Sequence, residues 1–368
     1  MPTTIASRVR QELEALVMCE SPSRAPEAIE RCAALTAELG AGWLSKPPDV
    51  IRVDGHPHLL WSFGGATKVL VLGHYDTVWP LGTTDRWPFA AEGDDGDKAT
   101  GPGIFDMKAG IIQSFLALSQ LDDLDGVSLL ITADEEIGSP SSRTLIEDTA
   151  RGAAATLVLE ASLDGALKLV RKGVSLYNVD FTGKAAHAGL EPEKGINSVI
   201  ALSHWTIAAS ALANPALGTS VTPSLVQAGT AINVVPSHAT LGVDVRMTTT
   251  AEQARIDRSF RGIEVPVPGI GIELSGGPNR APLESARSAA LFSLAQEVAA
   301  EIGRAPITGV SVGGASDGNL TAGIGIDTLD GLGAVGEHAH AEGEWASLAA
   351  IEERARLVAG VTRHVLAR

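Results

Sequence analysis

Lys68-Val69-Leu70-Val71-Leu72-Gly73-His74-Tyr75-Asp76 is the stretch on which the fold turns. From Val69 to Leu72 every side chain is aliphatic, so neither face of the segment alternates toward water. Such a run is expected of a strand in a parallel sheet covered by helices on both faces. It then passes straight into a histidine and an aspartate. In open parallel sheets ligands bind in the crevice beyond the carboxyl ends of the strands, and that is where His74 and Asp76 fall.

The same arrangement recurs along the first 170 residues. Val127 to Thr132 is a second apolar strand, followed by Asp134-Glu135-Glu136-Ile137-Gly138, and Ala155 to Leu159 is a third, closed by Glu160. Helices separate them. Ile5, Val9, Leu13, Leu16 and Val17 recur at helical spacing, and Ala25 to Leu39 forms a second helix with Pro26 in its first turn and Gly40 just past its end. Met107 to Leu121 is strongly amphipathic, with Asp106 placed to cap it in the turn Gly101-Pro-Gly-Ile-Phe-Asp106-Met-Lys. Strands alternating with helices predict an α/β fold, a mostly parallel sheet with helices on both faces.

The pattern changes at about residue 174. Strands over Val174–Thr182, Ser220–Gln227, Ala239–Met247 and Gly269–Leu274 interleave with helices over Gly195–Leu212 and Thr249–Arg261. This βαββαβ order is the ferredoxin-like unit. Helix and strand signals then return: Ser285–Ile302, Ile307–Val312 and a last helix from Trp345 to Leu366. The expected organisation is therefore one catalytic domain (1–173 and 282–368) interrupted by a lid domain (174–281).

Composition narrows the function. Against 28 Lys and Arg stand 44 Asp and Glu, a formal net charge of −16. That balance excludes nucleic-acid binding through a basic surface. No run approaches the ~20 apolar residues of a membrane span. With only Cys19 and Cys32 there is neither a disulfide framework nor a four-cysteine zinc site. The amino-terminal segment lacks the apolar stretch of a signal peptide, so a cytoplasmic location is expected.

His74, Asp106, Glu136, Glu160 and His340, the last in a glycine-rich loop before the final helix, converge on one crevice. Two imidazoles and three carboxylates suit borderline-hard divalent cations, zinc first and then cobalt or manganese. Five ligands for two ions require a shared carboxylate, and Asp106 is the natural bridge. Two such ions hold a hydroxide and stabilise a tetrahedral intermediate. Asp76 is placed to orient the His74 ring. Glu135, beside the ligand Glu136, is the candidate general base.

The ordered set His74-Tyr-Asp76-Thr-Val, Gly-Pro-Gly-Ile-Phe-Asp106-Met-Lys-Ala-Gly, Asp-Glu135-Glu136-Ile-Gly-Ser, Leu-Glu160 and Ala-His340-Ala-Glu resembles the dinuclear zinc peptidase family of glutamate carboxypeptidase (carboxypeptidase G), aminoacylase and succinyl-diaminopimelate desuccinylase. The resemblance covers nearly the whole chain. It implies that His74 and Glu160 bind one zinc, Glu136 and His340 the other, Asp106 both, and that Glu135 is the base. A Glu at position 160, where aminopeptidases tend to carry Asp, implies a substrate with a free carboxylate. The inserted domain is then the lid through which a homodimer forms. Its His187, in Lys184-Ala-Ala-His187-Ala-Gly, matches the family's lid histidine, which polarises the scissile carbonyl, commonly in the partner's site. Asn233 and Arg246 fall where the family holds substrate or orients the lid. Arg280 and the segment Gly313-Gly314-Ala-Ser316 look like its carboxylate-binding elements. A guanidinium fork suits a terminal carboxylate bidentately.

The implied reaction is hydrolysis of an amide beside a free carboxylate, by a glutamate-carboxypeptidase-like exopeptidase or, alternatively, an N-acyl amino acid amidohydrolase. The substrate is a small peptide or N-acyl amino acid. The chain departs from the pattern at His338, where relatives carry small residues, and either His338 or His340 is a possible ligand. His340 has the family's spacing to Glu344 and Trp345. A rival reading comes from Gly314-Ala-Ser316-Asp-Gly318, which matches the nucleophile elbow of serine α/β-hydrolases. Against it, such an elbow runs into a helix, and Asn319 to Gly325 is broken by glycines.

Overall fold

The computed structural model describes residues 4–92 and 96–368, which separate into two compact units. The first comprises residues up to Val170, Glu284–Val312 and Ser316–Arg368; the second is Arg171–Leu283 with Gly313–Ala315. The limits at Arg171 and Leu283, which bridge to each other, lie three and two residues outside 174 and 281, and Gly313–Ala315, expected in the catalytic domain, groups with the second unit.

The first unit is built on a six-stranded sheet in the order Asp49–Val53, His56–Phe63, Val127–Thr132, Val69–His74, Ala155–Val158, Thr328–Leu329. The last four strands run parallel and the first two antiparallel, giving the expected mostly parallel α/β sheet. The antiparallel hairpin is absent from the sequence reading, although Asp54-Gly55 at its tip is a favoured hairpin dipeptide. Val69 and Val71 pack into a core with Ile112, Phe115 and Val358, whereas Leu70 and Leu72 face Ile146 and Leu320 on the other side. Both faces of the strand are thus dry, which explains its unbroken apolar sequence. Each such fully buried aliphatic side chain contributes about 1.5–3 kcal/mol.

Of the helix limits that differ from expectation, two bear on the core and the site; the last helix also starts late, at Leu348, because Trp345–Ser347 is a strand. The second helix is Pro26–Leu44 and runs through Gly40, because a Cβ there would lie 2.5 Å from the Trp61 ring; glycine is a close-packing residue at this position, not a stop. The segment after Gly101 is a π-turn, Ile104–Lys108, leading into the helix Ala109–Leu118, whose amino-terminal cap is Lys108. Asp106 therefore caps nothing, and its carboxylate is available elsewhere. Gly110 lets this helix approach the sheet, since a Cβ would stand 2.3 Å from the Leu159 carbonyl, next to Glu160.

The second unit is a four-stranded antiparallel sheet in the order Ser220–Ala228, His238–Met247, Gly173–Thr182, Gly271–Arg280, with helices Ser198–Ser210 and Thr250–Arg261. Its core is an aromatic chain: Tyr177 against Phe260 (4.7 Å), Phe260 against Trp205 (5.2 Å) and Trp205 against Phe181 (6.5 Å).

Candidate metal centre

Sheet register alone assembles half of the centre. Leu72 pairs with Val158 and His74 with Thr132, so Glu160 lies level with His74 and Glu135 emerges just beyond the neighbouring strand. His74 Nε2 is 3.3 Å from Asp106 Oδ1 and 3.6 Å from Glu160 Oε1. His340 Nε2 is 3.2 Å from the other Asp106 oxygen, Oδ2, and 3.1 Å from Glu136 Oε2. Asp106 thus offers one oxygen to each of two groups of donors. Glu135 joins His74 and Glu160 in a cluster whose ligand atoms all lie within 4.8 Å of one another. His338 stands apart, exposed and 3.8 Å from Glu337. His340 adopts a left-handed backbone (φ 61°), a conformation costly for a non-glycine residue.

The residues fit a pair of divalent cations on this structure's own evidence. Asp106 Oδ1 and Glu136 Oε1 are buried and accept no hydrogen bond from the described residues. Buried carboxylate oxygens without donors are costly unless something positive meets them. Protons answer the same field. Burial opposes charge on His74, yet Asp106, Asp76 and Glu160 hold its imidazole well above the ordinary range. Hydrogen bonds to Asp106 and Glu136 push His340 up to about 11, and burial lifts the Glu136 carboxyl to about 7.

Asp76 differs from its expected role in one respect. The His74 ring Nδ1 is 3.0 Å from the backbone carbonyl of Asp76 and 3.4 Å from its carboxylate. That carboxylate mainly accepts the Glu135 and Glu136 amides (3.1 Å each) and the Ser23 hydroxyl (2.6 Å). Asp76 therefore fixes the turn that carries Glu135 and Glu136 together. Asp134 anchors the far end of that turn, accepting from the Ser141 amide (2.7 Å) and hydroxyl (2.6 Å).

Sequence reasoning used Glu344 only as a spacing mark and missed its function. This fully buried carboxylate accepts the amides of Gly103 (2.9 Å), Phe105 (2.8 Å) and Asp106 (2.9 Å), and the Trp79 indole N–H (2.9 Å). It is the clamp that holds the Asp106 loop. The only signal was its position four residues after His340.

The expected substrate residues lie elsewhere in the chain. His187 is exposed in the second unit and accepts the Gly189 and Leu190 amides on Nδ1 (3.2 Å each), which leaves its proton on Nε2. The Asn233 carbonyl accepts from Ala188 (2.9 Å), and Arg246 forms a two-pronged pair with Asp244 (2.8 and 2.9 Å). Arg280 ends its strand, buried, with its carbonyl held by Gln253 (2.9 Å). Gly313 and Gly314 are exposed, and Arg171 donates to the Gly314 carbonyl (3.3 Å). Ser316 is fully buried and donates to Asp330 (2.6 Å), while Gly318 donates back to its hydroxyl (3.1 Å). A short helix, Gly318–Gly323, does follow it, against expectation. The hydroxyl is nevertheless engaged with Asp330, and no histidine contacts it among the described residues.

Comparison with known proteins identifies the family and the fold. A family model described as peptidase family M20/M25/M40 matches residues 70–364. Carboxypeptidase G2 of Pseudomonas sp. (strain RS-16) is 35% identical over 189 residues, 50% of this chain and 45% of that protein, so the match spans about half of that relative's length. A probable succinyl-diaminopimelate desuccinylase of Staphylococcus aureus is 24% identical over 324 residues, covering 77% of this chain and 79% of the relative. Among solved structures, a dinuclear metal binding peptidase of Bacillus subtilis superposes with a TM-score of 0.67 at 16% identity, covering 98% of each chain.

Proposed function

We propose, from the premise that this chain belongs to peptidase family M20/M25/M40, that it is a dinuclear metal-dependent hydrolase cleaving an amide bond beside a free carboxylate. The observation that carries the reading is Asp106, whose two oxygens each lie within 3.3 Å of a different imidazole. His74 and Glu160 would hold one ion and Glu136 and His340 the other, with Asp106 shared. When bound, two such ions, zinc by ligand type, supply Lewis-acid polarisation of the scissile carbonyl and a water of lowered pKa. The chain's own residues do the rest. Glu135 takes a proton from the attacking water and delivers it to the amide nitrogen as the C–N bond breaks. Asp76 keeps Glu135 and Glu136 in register, and Glu344 keeps Asp106 facing both imidazoles.

Three features support a carboxylate-bearing substrate: Glu rather than Asp at position 160, Arg280 as a guanidinium for the terminal carboxylate, and relatives named as a carboxypeptidase and a desuccinylase. Asn233, Arg246 and the segment Gly313–Ser316 are assigned to substrate or lid orientation, and His187 to the carbonyl oxygen. An N-acyl amino acid amidohydrolase is the second reading, supported by the desuccinylase relative. Both cleave an amide whose leaving amine carries a carboxylate, and they differ in the acyl side.

The test combines metal analysis with a substrate screen. Two divalent ions per chain are expected. Chelation should abolish hydrolysis of N-acyl and peptidyl glutamate, and Zn²⁺, Co²⁺ or Mn²⁺ should restore it. Activity that survives chelation and falls to a serine-directed reagent would overturn the reading. Glutamyl, aspartyl and neutral leaving groups, each with acetyl and peptidyl acyl sides, separate the two alternatives.

We infer a homodimer formed through the second unit. Its edge strand Ser220–Ala228 exposes Leu225 (71%) and Val226 (59%), and its helix Ser198–Ser210 exposes Ile207 (71%) and Ile200 (48%). An unpaired strand edge beside large apolar side chains invites a second copy. Replacing Ile207 and Leu225 together by Glu should yield monomers by light scattering. A parent protein that is itself monomeric at micromolar concentration would remove the dimer.

A further inference from the structure

We propose that the first unit carries a second ligand site, a pocket for a small oxyanion held by Arg304 and Arg354. A cavity of about 420 Å³ opens between the Asp164–Gly165 turn, the segment after the helix Ser285–Glu301, and the helix Leu348–Leu366. Arg304, Thr308, Glu353 and Arg356 line it. None of these residues belongs to the metal centre.

The guanidinium behind its wall is the informative group. Arg354 is fully buried, and one nitrogen, Nη2, donates to the carbonyl of Gly165, itself a lining residue. Its other two nitrogens, Nε and Nη1, have no hydrogen-bond partner among the described residues. Arg304 pairs through Nε with Glu353, and its Nη1 is buried and unpartnered as well. Three N–H-bearing atoms on two neighbouring guanidinium groups are therefore unsatisfied. Burial and the charge of Arg304 together push the Arg354 guanidinium down to about 9.

A buried cation next to a second cation is retained in a fold only when something offsets it. Glu353, at the cavity wall, is engaged by Arg304, and Asp164 is an exposed turn residue. The two planar forks match the oxygens of a sulfate, a phosphate group or a carboxylate, which accept in pairs. The cavity has room for such a group; Arg304 lines it directly, and Arg354 stands behind the wall through its bond to the lining residue Gly165. The shared ligand chemistry is that of an oxyanion; a tetrahedral ion and an amino-acid carboxylate are its two possible sources.

The experiment is a thermal-unfolding titration of the full chain with sodium sulfate and, separately, sodium glutamate, with ionic strength held constant by chloride. A saturable rise in Tm is expected in at least one arm, and the arm whose response is lost in Arg304→Gln identifies the source, since glutamate held at the metal centre would respond equally in both proteins. Calorimetric titration with the same salt should give one site per chain. Arg304→Gln should lose at least tenfold in that affinity. Arg354→Met should raise Tm in chloride alone, because it removes an uncompensated charge, and should abolish the salt response. If Arg354→Met does not fold, Arg304→Gln still decides the matter. No saturable response in either arm, or an undiminished response in Arg304→Gln, overturns the proposal. The readout is unfolding and binding, so it stands or falls apart from whether the metal centre hydrolyses amides.

Discussion

Glu135→Gln is expected to lower kcat by on the order of 10³-fold, within the usual range for removing a general acid–base group, while both metal ions stay bound. The reasoning is geometric. Glu135 sits within the His74–Glu160 cluster, but the two groups of donors around Asp106 are complete without it. Its backbone amide is fixed by Asp76 at 3.1 Å, so the isosteric amide occupies the same place. What it loses is the ability to accept the water proton. KM should change little. A variant with near-normal kcat would remove Glu135 as the base, and one that loses metal would make it a ligand instead.

The largest effect on stability should come from Glu344→Ala. The wild-type carboxylate accepts four hydrogen bonds in a fully buried position, three of them from the loop that carries Asp106. Truncation leaves those N–H groups without an acceptor, and one such orphan costs about 1–3 kcal/mol. A loss of about 3 kcal/mol or more is therefore expected in chemical denaturation, even if water partly refills the site. The metal content should fall with it, since Asp106 is no longer held between the imidazoles. Glu344→Gln tests the same point with little change of volume: its amide group faces N–H donors on one side, so it should be intermediate. An Ala variant destabilised by less than about 1 kcal/mol, with two metals bound, would show that the loop is held by other means.

Much of the fold was legible because burial leaves a local trace. A run such as Val69–Leu72 has no polar residue to spare, and the change to alternating strands after residue 174 marks the passage from a sheet covered on both faces to one with a solvated side. The hairpin Asp49–Phe63 was less visible, since its edge strand is short and half exposed. Gly40 misled for a related reason. A glycine within a helix and a glycine after one look the same in sequence, and only the Trp61 ring packed against it tells them apart. For Asp106 only the capping expectation failed: before an apolar helical run an aspartate looks like a cap, but the turn Ile104–Lys108 leaves that position to Lys108 and the Asp106 carboxylate between two histidines.

By itself the sequence determined the fold class and the chemical inventory: carboxylates and imidazoles at the carboxyl ends of apolar strands and in two glycine-rich loops. Those facts depend on residue type and short periodicity, which neighbouring residues settle among themselves. Tertiary structure alone decided how the inventory is used. One Asp106 oxygen faces His74 and the other His340, Asp76 holds the Glu135 and Glu136 amides rather than chiefly the His74 ring, and Glu344 holds the Asp106 amide across 238 residues of chain. Such pairings arise when distant loops close over the sheet, and their angles follow from packing that no local pattern encodes. The acidic excess of the chain is explained in the same way: part of it is crowded into this one crevice, where divalent cations would balance it.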